Sequence, residues 1–313
     1  MTSLALYSPS GVVMKAAPLQ RAQRRLRALG FEVEIDAGAL AKHQRFAGDD
    51  AARLEAIHRI ADRAPAVAMA TRGGYGLSRL LDAIDWKRVA ASVERGTHWI
   101  GHSDLTVLQL GLLAHTGSRS WAGPMACYDF GREAGEHGEK SIETVDEVTR
   151  DCFVEAMSGA LEAVGFRTEN GFDGLEVRGT LWGGNLCMVS SLLGTPHWPR
   201  VKGGVLFLED VNEHPYRIER MLDQLRLAGV LGRQRAILFG QFTGIRKVPR
   251  YDRGFGMNTV VERLRAALPK VPVLTGLPFG HVPTKVLLPV GAHVELAAEG
   301  RDVFMVWGHR HAQ

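Results

Sequence analysis

Short apolar runs alternate with helix-like segments through the first third of the chain, and this alternation constrains the fold more than any other feature. The predicted strands occupy residues 3–8, 31–35, 66–70 and 99–101. The predicted helices occupy residues 18–29, 49–63, 77 onward and 105–115. Because a parallel strand pair needs a crossover connection, usually a helix, the alternation predicts a parallel, doubly wound α/β sheet.

The second half of the chain has a different pattern. Helices are predicted over about residues 148–164, 215–228 and 258–268. Strand-like runs recur at residues 179–182, 205–208, 236–239, 286–289 and 293–296. This pattern predicts a second α/β domain with a larger antiparallel or β-barrel-like share. The Gly- and Glu-rich stretch 131–146 predicts a linker or surface excursion, so we expect domains over 1–150 and 151–313.

Composition limits the class of function. The 313 residues are 45% apolar and 23% charged, which is typical of a chain that buries a core, and the net charge is only +4. The arginines at 21, 24, 25 and 27 fit a solvated helix face, so neither a nucleic-acid nor a membrane partner is predicted. We expect no signal peptide and no membrane span. The three cysteines form no C-x-x-C pair, which predicts a reducing, cytoplasmic location and no zinc site.

Ser103 follows a predicted strand in the segment Gly101-His102-Ser103-Asp104 and precedes a predicted helix. A sharp strand-to-helix turn exposes a serine hydroxyl as a nucleophile, and backbone N–H groups at the helix start can bind an oxyanion. Leu105 stands where the G-x-S-x-G motif has its second glycine, so the motif is only partly matched. Capping of the helix by the serine side chain is the alternative.

A glycine-rich segment, Arg72-Gly73-Gly74-Tyr75-Gly76, lies between a predicted strand and a predicted helix. Its glycines allow backbone N–H groups to approach a ligand closely. The segment does not match G-x-G-x-x-G and lacks the end of a P-loop, so a dinucleotide site is only weakly indicated. A tight turn without a ligand is the alternative.

Titratable side chains in the second half also occupy positions suited to chemistry. Glu209 and Asp210 end an apolar strand, where ligands bind in α/β folds, although capping of the next helix is the alternative role for carboxylates here. His281 lies between two prolines in a predicted loop, and this rigid setting favours a positioned side chain over an ordinary structural histidine.

Taken in chain order, these segments resemble the LD-carboxypeptidase family of serine peptidases, which includes murein tetrapeptide carboxypeptidases and microcin C self-immunity proteins. The resemblance covers nearly the whole chain. The other matching segments are Tyr7-Ser8-Pro9-Ser10-Gly11, Gly183-Gly184-Asn185-Leu186 and Tyr216-Arg217-Ile218. Each segment alone is weak evidence, but their common order is specific.

The resemblance implies a flavodoxin-like N-terminal domain and a C-terminal domain with a β-barrel-like sheet, with the active site at their interface. It implies Ser103 as the nucleophile, His281 as the general base and Glu209 as the residue that orients the histidine. The backbone N–H groups of Gly74 and Asp104 would bind the oxyanion. The resemblance also implies a homodimer, and the chemistry needs neither a metal nor an organic cofactor.

Two positions depart from the family pattern. His102 replaces an aromatic residue that commonly precedes the nucleophile, and Ala122 replaces the histidine of a His-Gly-Pro segment. The expected substrate is a small muropeptide that loses its terminal D-alanine, with Arg72 and Arg217 as candidates to bind the terminal carboxylate. The alternatives are hydrolysis of peptidyl or aminoacyl nucleotides and a catalytically silent muropeptide-binding protein. Microcin-type members of the family often carry a longer insert that holds an aromatic side chain against the nucleotide base. This chain is short and has no obvious insert, which favours the muropeptide as substrate.

Overall fold

The computed structural model describes residues 1–133, 145–172, 174–246, 248 and 250–308, which we divide into a first half up to 133 and a second half from 145. The strands in these ranges are β1 (Thr2–Tyr7), β2 (Phe31–Ile35), β3 (Val67–Ala70), β4 (His98–Gly101), β5 (Ser120–Ala122), β6 (Ala163–Arg167), β7 (Leu175–Asn185), β8 (Val205–Val211), β9 (Ala236–Thr243), β10 (Val273–Leu274), β11 (Leu288–Val290), β12 (His293–Glu299) and β13 (Asp302–Val306). The α-helices there are α1 (Ala16–Ala28), α2 (Asp50–Arg63), α3 (Trp86–Glu94), α4 (Thr106–Thr116), α5 (Glu147–Ser158), α6 (Leu186–Ser191), α7 (Pro215–Leu227) and α8 (Met257–Ala267).

The first sheet has the strand order β11-β5-β4-β3-β1-β2. The strands β1 to β5 run parallel, and β11 pairs antiparallel with β5. The order 2-1-3-4-5 is that of flavodoxin-like folds, in which ligands bind at the carboxyl ends of the strands, near the point where the order reverses. The predicted α/β class with a parallel first sheet is therefore confirmed.

The second sheet is mixed and has the order β10-β9-β8-β7-β12-β13-β6. The strands β7 to β10 run parallel, whereas β12 pairs antiparallel with β7 and β13, and β13 pairs antiparallel with β6. β11 belongs to the second half by sequence, but Leu288 lies opposite Ala122 in the first sheet. The two sheets therefore do not correspond to two uninterrupted stretches of chain.

Burial explains why the strands differ in sequence. β3 is buried at all of its positions, because helices cover both faces of a parallel sheet. β12 instead alternates exposed and buried residues, as a strand with one solvated face does. Buried apolar residues of both halves pack into one continuous core. No described helix combines the length and the hydropathy that crossing a membrane would require.

Two local predictions were wrong. The helix expected over 148–164 ends at Ser158, because Gly159 adopts a left-handed conformation with φ of 79°, and the chain then forms β6. The helix expected from Leu77 is only a 3₁₀ turn, and α3 begins at Trp86, where the Asp85 side chain caps it. Most of the stretch predicted as a linker, residues 134–144, lies outside the described residues.

Candidate active site

Ser103 lies just beyond β4, at the carboxyl edge of the first sheet, with a φ of 64°. A left-handed backbone costs a non-glycine residue about 1–2 kcal/mol, so surrounding contacts must hold the turn. Asp104, the next residue, supplies them: its buried carboxylate accepts hydrogen bonds from the Ser10 hydroxyl and, at 3.0 Å, from the Leu77 N–H. No described residue bonds to the Ser103 hydroxyl, which does not cap the helix.

The glycine turn after β3 packs directly against this serine. A Cβ on Gly73 would lie 2.7 Å from both Cβ and Oγ of Ser103, and 3.3 Å from the Asp104 nitrogen. Gly74, with a φ of 117°, lines the same cavity as Ser103. The loop backbone can approach the serine this closely only because position 73 has no side chain. The assignment of the Gly74 and Asp104 N–H groups to an oxyanion site stays a prediction.

Glu209 and His281 form the other side of the site. The Glu209 carboxylate lies at the end of β8, fully buried, and its Oε2 is 2.8 Å from Nδ1 of His281. The second oxygen, Oε1, accepts a hydrogen bond of 3.2 Å from the Asn185 side chain. Gly280 has a φ of 138°, and a Cβ there would meet Glu209 Oε2 at 3.2 Å. The Glu209 carboxylate thus fixes the His281 ring through Nδ1, and Nε2 takes no part in this contact.

Asp210 has different partners from its neighbour Glu209. Its carboxylate accepts hydrogen bonds from Asn185 Nδ2 at 2.9 Å, from the Cys187 N–H at 2.9 Å and from the Val211 N–H at 2.8 Å. Burial, together with the nearby Glu209 charge, raises the pKa of Asp210 to about 6. Asp210 therefore joins β8 to the start of α6, and only Glu209 of the two carboxylates contacts the histidine.

His102 is buried beside the His281 ring, and the two ring centroids are 5.0 Å apart. Burial, with smaller contributions from Lys285 and His281, holds the pKa of His102 well below its usual value, so the ring is neutral. Its Nδ1 lies 2.8 Å from the Gly123 carbonyl, to which it donates, while Nε2 has no partner among the described residues. The departure at this position therefore places a neutral ring against the histidine.

A buried ion pair holds the loop that follows His281 against the first half. Lys285 is fully buried, and its ammonium donates to the Asp129 carboxylate. The Lys285 N–H also donates to the Thr149 hydroxyl at 2.8 Å. Removing one partner of a buried pair leaves an uncompensated charge, which typically costs about 3–5 kcal/mol. This contact therefore ties the loop that carries His281 to the first half of the chain.

Ser103 and His281 face a common cavity of about 1110 Å³. No direct hydrogen bond joins them; such contacts often tighten only when substrate binds. Arg72 lines the cavity, and its Nη1 donates to the Val12 carbonyl at 3.1 Å. Arg217 instead lines a neighbouring cavity of about 500 Å³. Within the described ranges, no group of three or more His, Cys, Asp or Glu side chains could hold a metal ion.

Sequence reasoning missed three contributors to this geometry. Gly73, rather than Gly74, makes the closest approach to the serine. Asn185 donates to the Glu209 and Asp210 carboxylates, whereas the sequence marks it only as part of a segment that matches the family. Lys285 stands next to the apolar run 286–288, and a lone lysine in such a setting is a signal for a buried ion pair.

Comparison with known proteins assigns the class. Sequence models of the LD-carboxypeptidase N-terminal domain and the LD-carboxypeptidase C-terminal domain match residues 4–123 and 178–296. The chain therefore belongs to the LD-carboxypeptidase family, as its motifs had predicted.

Three known proteins are similar to this chain in sequence or in fold. The chain is 31% identical to the murein tetrapeptide carboxypeptidase of Pseudomonas aeruginosa over 286 residues, which cover 89% of this chain and 87% of that protein. The crystal structure of muramoyltetrapeptide carboxypeptidase from Oxalobacter formigenes superimposes with a TM-score of 0.86 at 38% identity, covering 98% of this chain and 99% of the other. The microcin C7 self immunity protein MccF, at 19% identity, a TM-score of 0.83 and coverage of 99% and 97%, shares the fold.

Proposed function

We propose that the chain is a serine LD-carboxypeptidase that removes the terminal D-alanine from the murein tetrapeptide L-Ala-γ-D-Glu-meso-diaminopimelate-D-Ala. The observation that carries the proposal is the 2.8 Å contact between Glu209 and His281, which faces a serine in a left-handed turn across one cavity. The names of the Pseudomonas and Oxalobacter relatives support the choice of substrate.

Acylation begins when the Ser103 hydroxyl attacks the carbonyl carbon of the diaminopimelate residue. His281 Nε2 takes the hydroxyl proton, while Glu209 holds the proton on Nδ1 and stabilises the imidazolium that forms. The backbone N–H groups of Gly74 and Asp104 bind the oxyanion of the tetrahedral intermediate. Removing one such donor typically costs roughly a hundred- to a thousandfold in rate.

Collapse of the intermediate breaks the peptide bond, and His281 returns the proton to the leaving amino group of D-alanine. The acyl group stays on the Ser103 oxygen as an ester. A water molecule, deprotonated by the same histidine, then attacks the ester carbonyl and releases the tripeptide. The proton returns to the serine, so atoms and charges balance over the cycle without any added cofactor.

The stereochemistry of the bond supplies the test. The leaving residue has the D configuration, and its methyl group and hydrogen exchange places in the L isomer. A site shaped for one arrangement penalises the other, because specificity is a difference in transition-state binding. Purified protein should therefore release alanine from the natural tetrapeptide, but not from the same peptide ending in L-Ala or from the pentapeptide ending in D-Ala-D-Ala. Equal cleavage of the L-Ala peptide would show that the site does not select the D configuration of the leaving residue.

Two alternatives are outcomes of the same assay. Turnover of an aminoacyl-nucleotide analogue with no cleavage of the peptides would assign the chain to the chemistry of the microcin-immunity branch, whose fold it shares. Peptide binding without turnover, and without labelling of Ser103 by a serine-reactive fluorophosphonate, would indicate a silent binding protein. The matched control for labelling is Ser103→Ala.

A cytoplasmic location and a homodimer complete the proposal. Muropeptides recovered from the wall are handled in the cytoplasm before reuse, and the cysteine pattern fits a reducing compartment. Fractionation of cells that express the tagged chain tests the location. Light scattering coupled to size exclusion tests the dimer, which predicts a mass of about twice 34.2 kDa.

A further inference from the structure

The charged side chains that line the cavity of Ser103 and His281 are all cationic among the described residues. Its cationic lining residues are Lys15, Arg45 and Arg72, and no aspartate or glutamate is among the described residues that line it. All three cations lie in the first half, on the side of the serine. None of them makes an ion pair with a carboxylate in the described part of the chain. Unpaired cations in a cleft concentrate anionic ligands and help to orient them.

Arg72, one of these cations, is the candidate to bind the terminal carboxylate of the substrate. A Cβ built on Gly74 would lie 3.9 Å from the Arg72 guanidinium, so this cation stands against the turn proposed to bind the oxyanion. The carboxylate of a leaving D-alanine is only a few bonds from the reacting carbonyl. Arg72 is therefore the candidate for that group, and the other two cations have no ligand assigned.

Arg45 extends from a backbone that is already fixed. His43 and Phe46 exchange N–H···O bonds of 3.0 and 2.9 Å across the turn that contains Arg45, and the Arg45 carbonyl accepts from the Val12 N–H at 3.0 Å. The guanidinium lies 5.6 Å from the centroid of the Tyr75 ring. An aromatic support restricts a guanidinium without neutralising it, so the group keeps its donors for a planar, bidentate acceptor.

We infer that Arg45 and Lys15 form a second carboxylate-binding subsite, which selects peptides that carry an acidic group in addition to the C-terminal carboxylate. This inference rests on the proposed function. In the murein tetrapeptide the fitting group is the α-carboxylate of the γ-linked D-glutamyl residue. The negative charge of the diaminopimelate side-chain carboxylate is balanced by the ammonium group on the same carbon, whereas the glutamyl carboxylate has no such neighbour.

The test compares two tetrapeptides that differ in one group: the D-glutamyl α-carboxylate is free in one and amidated in the other. A charged hydrogen bond contributes about 1.5–3 kcal/mol, so the unmodified protein should prefer the free acid by about ten- to a hundredfold in kcat/KM, mainly through KM. Arg45→Gln should abolish this preference, and Lys15→Gln should reduce it. Arg45→Lys, which keeps the charge but loses the bidentate geometry, should be intermediate.

The matched control is Lys42→Gln, which removes an exposed cation three residues from Arg45 that does not line the cavity. It should keep the acid preference. An unchanged ratio of the two peptides in Arg45→Gln would overturn the subsite. So would a preference lost equally in Lys42→Gln, because the effect would then be one of overall charge.

Calorimetry with Ser103→Ala separates the subsite from the reaction. In this variant both peptides stay intact, and the free acid should bind about ten- to a hundredfold more tightly, a difference that Arg45→Gln should remove. Discrimination in binding without any release of D-alanine by the unmodified protein would sink the proposed function and leave the subsite. Release of D-alanine without discrimination would do the reverse.

Discussion

The two sides of the cavity are built by different means. On the first side, the Ser103 backbone is left-handed and Gly73 has no side chain to separate the loops, while the Asp104 carboxylate holds the turn. On the second side, side-chain hydrogen bonds do the positioning, through Glu209 and His281. Apart from loss of the Ser103 hydroxyl itself, substitutions on the first side should therefore act by steric displacement, and substitutions on the second side by loss of charge or of a hydrogen bond.

Ser103→Ala should have the largest effect. Loss of a triad nucleophile lowers kcat by up to about a millionfold, and we expect no D-alanine release above background. Alanine tolerates the left-handed backbone no better and no worse than serine, so the free energy of unfolding should barely change. Rates and urea unfolding curves of the purified variant check both points. Full activity in the folded variant would exclude Ser103 as the nucleophile.

Ser103→Gly provides the matched control for the strained turn. It removes the same hydroxyl, but glycine accepts a positive φ without the steric cost. It should be equally inactive and more stable than Ser103→Ala by about 1 kcal/mol. Equal stability of the two variants would mean that the turn is not strained.

Glu209→Gln should reduce kcat by about three to four orders of magnitude, because a neutral amide neither fixes the histidine tautomer nor stabilises the imidazolium. Asp210→Asn makes the same chemical change one residue away, at a carboxylate that does not contact His281. Its effect on kcat should be much smaller. The opposite ranking would show that the wrong carboxylate has been assigned.

Gly73→Ala should lower kcat by about a hundred- to a thousandfold, since the added methyl group would displace the Ser103 side chain and the adjacent N–H group. Position 73 does not have a positive φ, so alanine strains no backbone there. A substitution at Gly74, which has a φ of 117°, would strain the backbone as well, so its effect on catalysis could not be separated from its effect on folding. A variant that loses stability rather than activity would show that the glycine turn is mainly structural.

Asp210 gives the smallest predicted effect, which depends on pH. Its pKa is raised from 3.8 to about 6, so the folded protein binds this proton more tightly than the unfolded chain. The stability from this group is complete below about pH 4 and is lost as the pH rises through about 6. The unfolding free energy of the unmodified protein minus that of Asp210→Asn should fall by about 1–3 kcal/mol between pH 4 and pH 7. A constant difference would contradict the raised pKa.

Most of the parallel sheet was predictable because its strands are short apolar or alternating runs between helix-like segments: β3 is continuously apolar, whereas β2 alternates. β5, β6, β10 and β13 were not predicted. β5 and β10 have only three and two residues, whereas β6 and β13 adjoin a stronger helical or strand signal. The overlong helix at 148–164 has a local cause in Gly159, whose left-handed conformation a sequence pattern allows but does not require.

The candidate site was predictable as residue types but not as distances. Ser103 is marked by its position after a strand, Glu209 by its place at the end of an apolar run, and His281 by its proline-bounded loop. Their separation depends on contacts between distant segments, such as Lys285 with Asp129, that no local pattern specifies. The position of Arg217 could not be predicted either: its motif matches the family, but its side chain lines the neighbouring cavity.

The short strand β11 has a consequence for the time at which activity can arise during synthesis. Residues 288–290 pair with β5, so an emerging chain that stops before them presents an unpaired edge, the kind of surface on which chains associate wrongly. The histidine-bearing loop directly precedes this strand. A nascent chain therefore carries the proposed nucleophile long before it can hydrolyse anything, and the last pairing of the first sheet coincides with the arrival of the proposed general base.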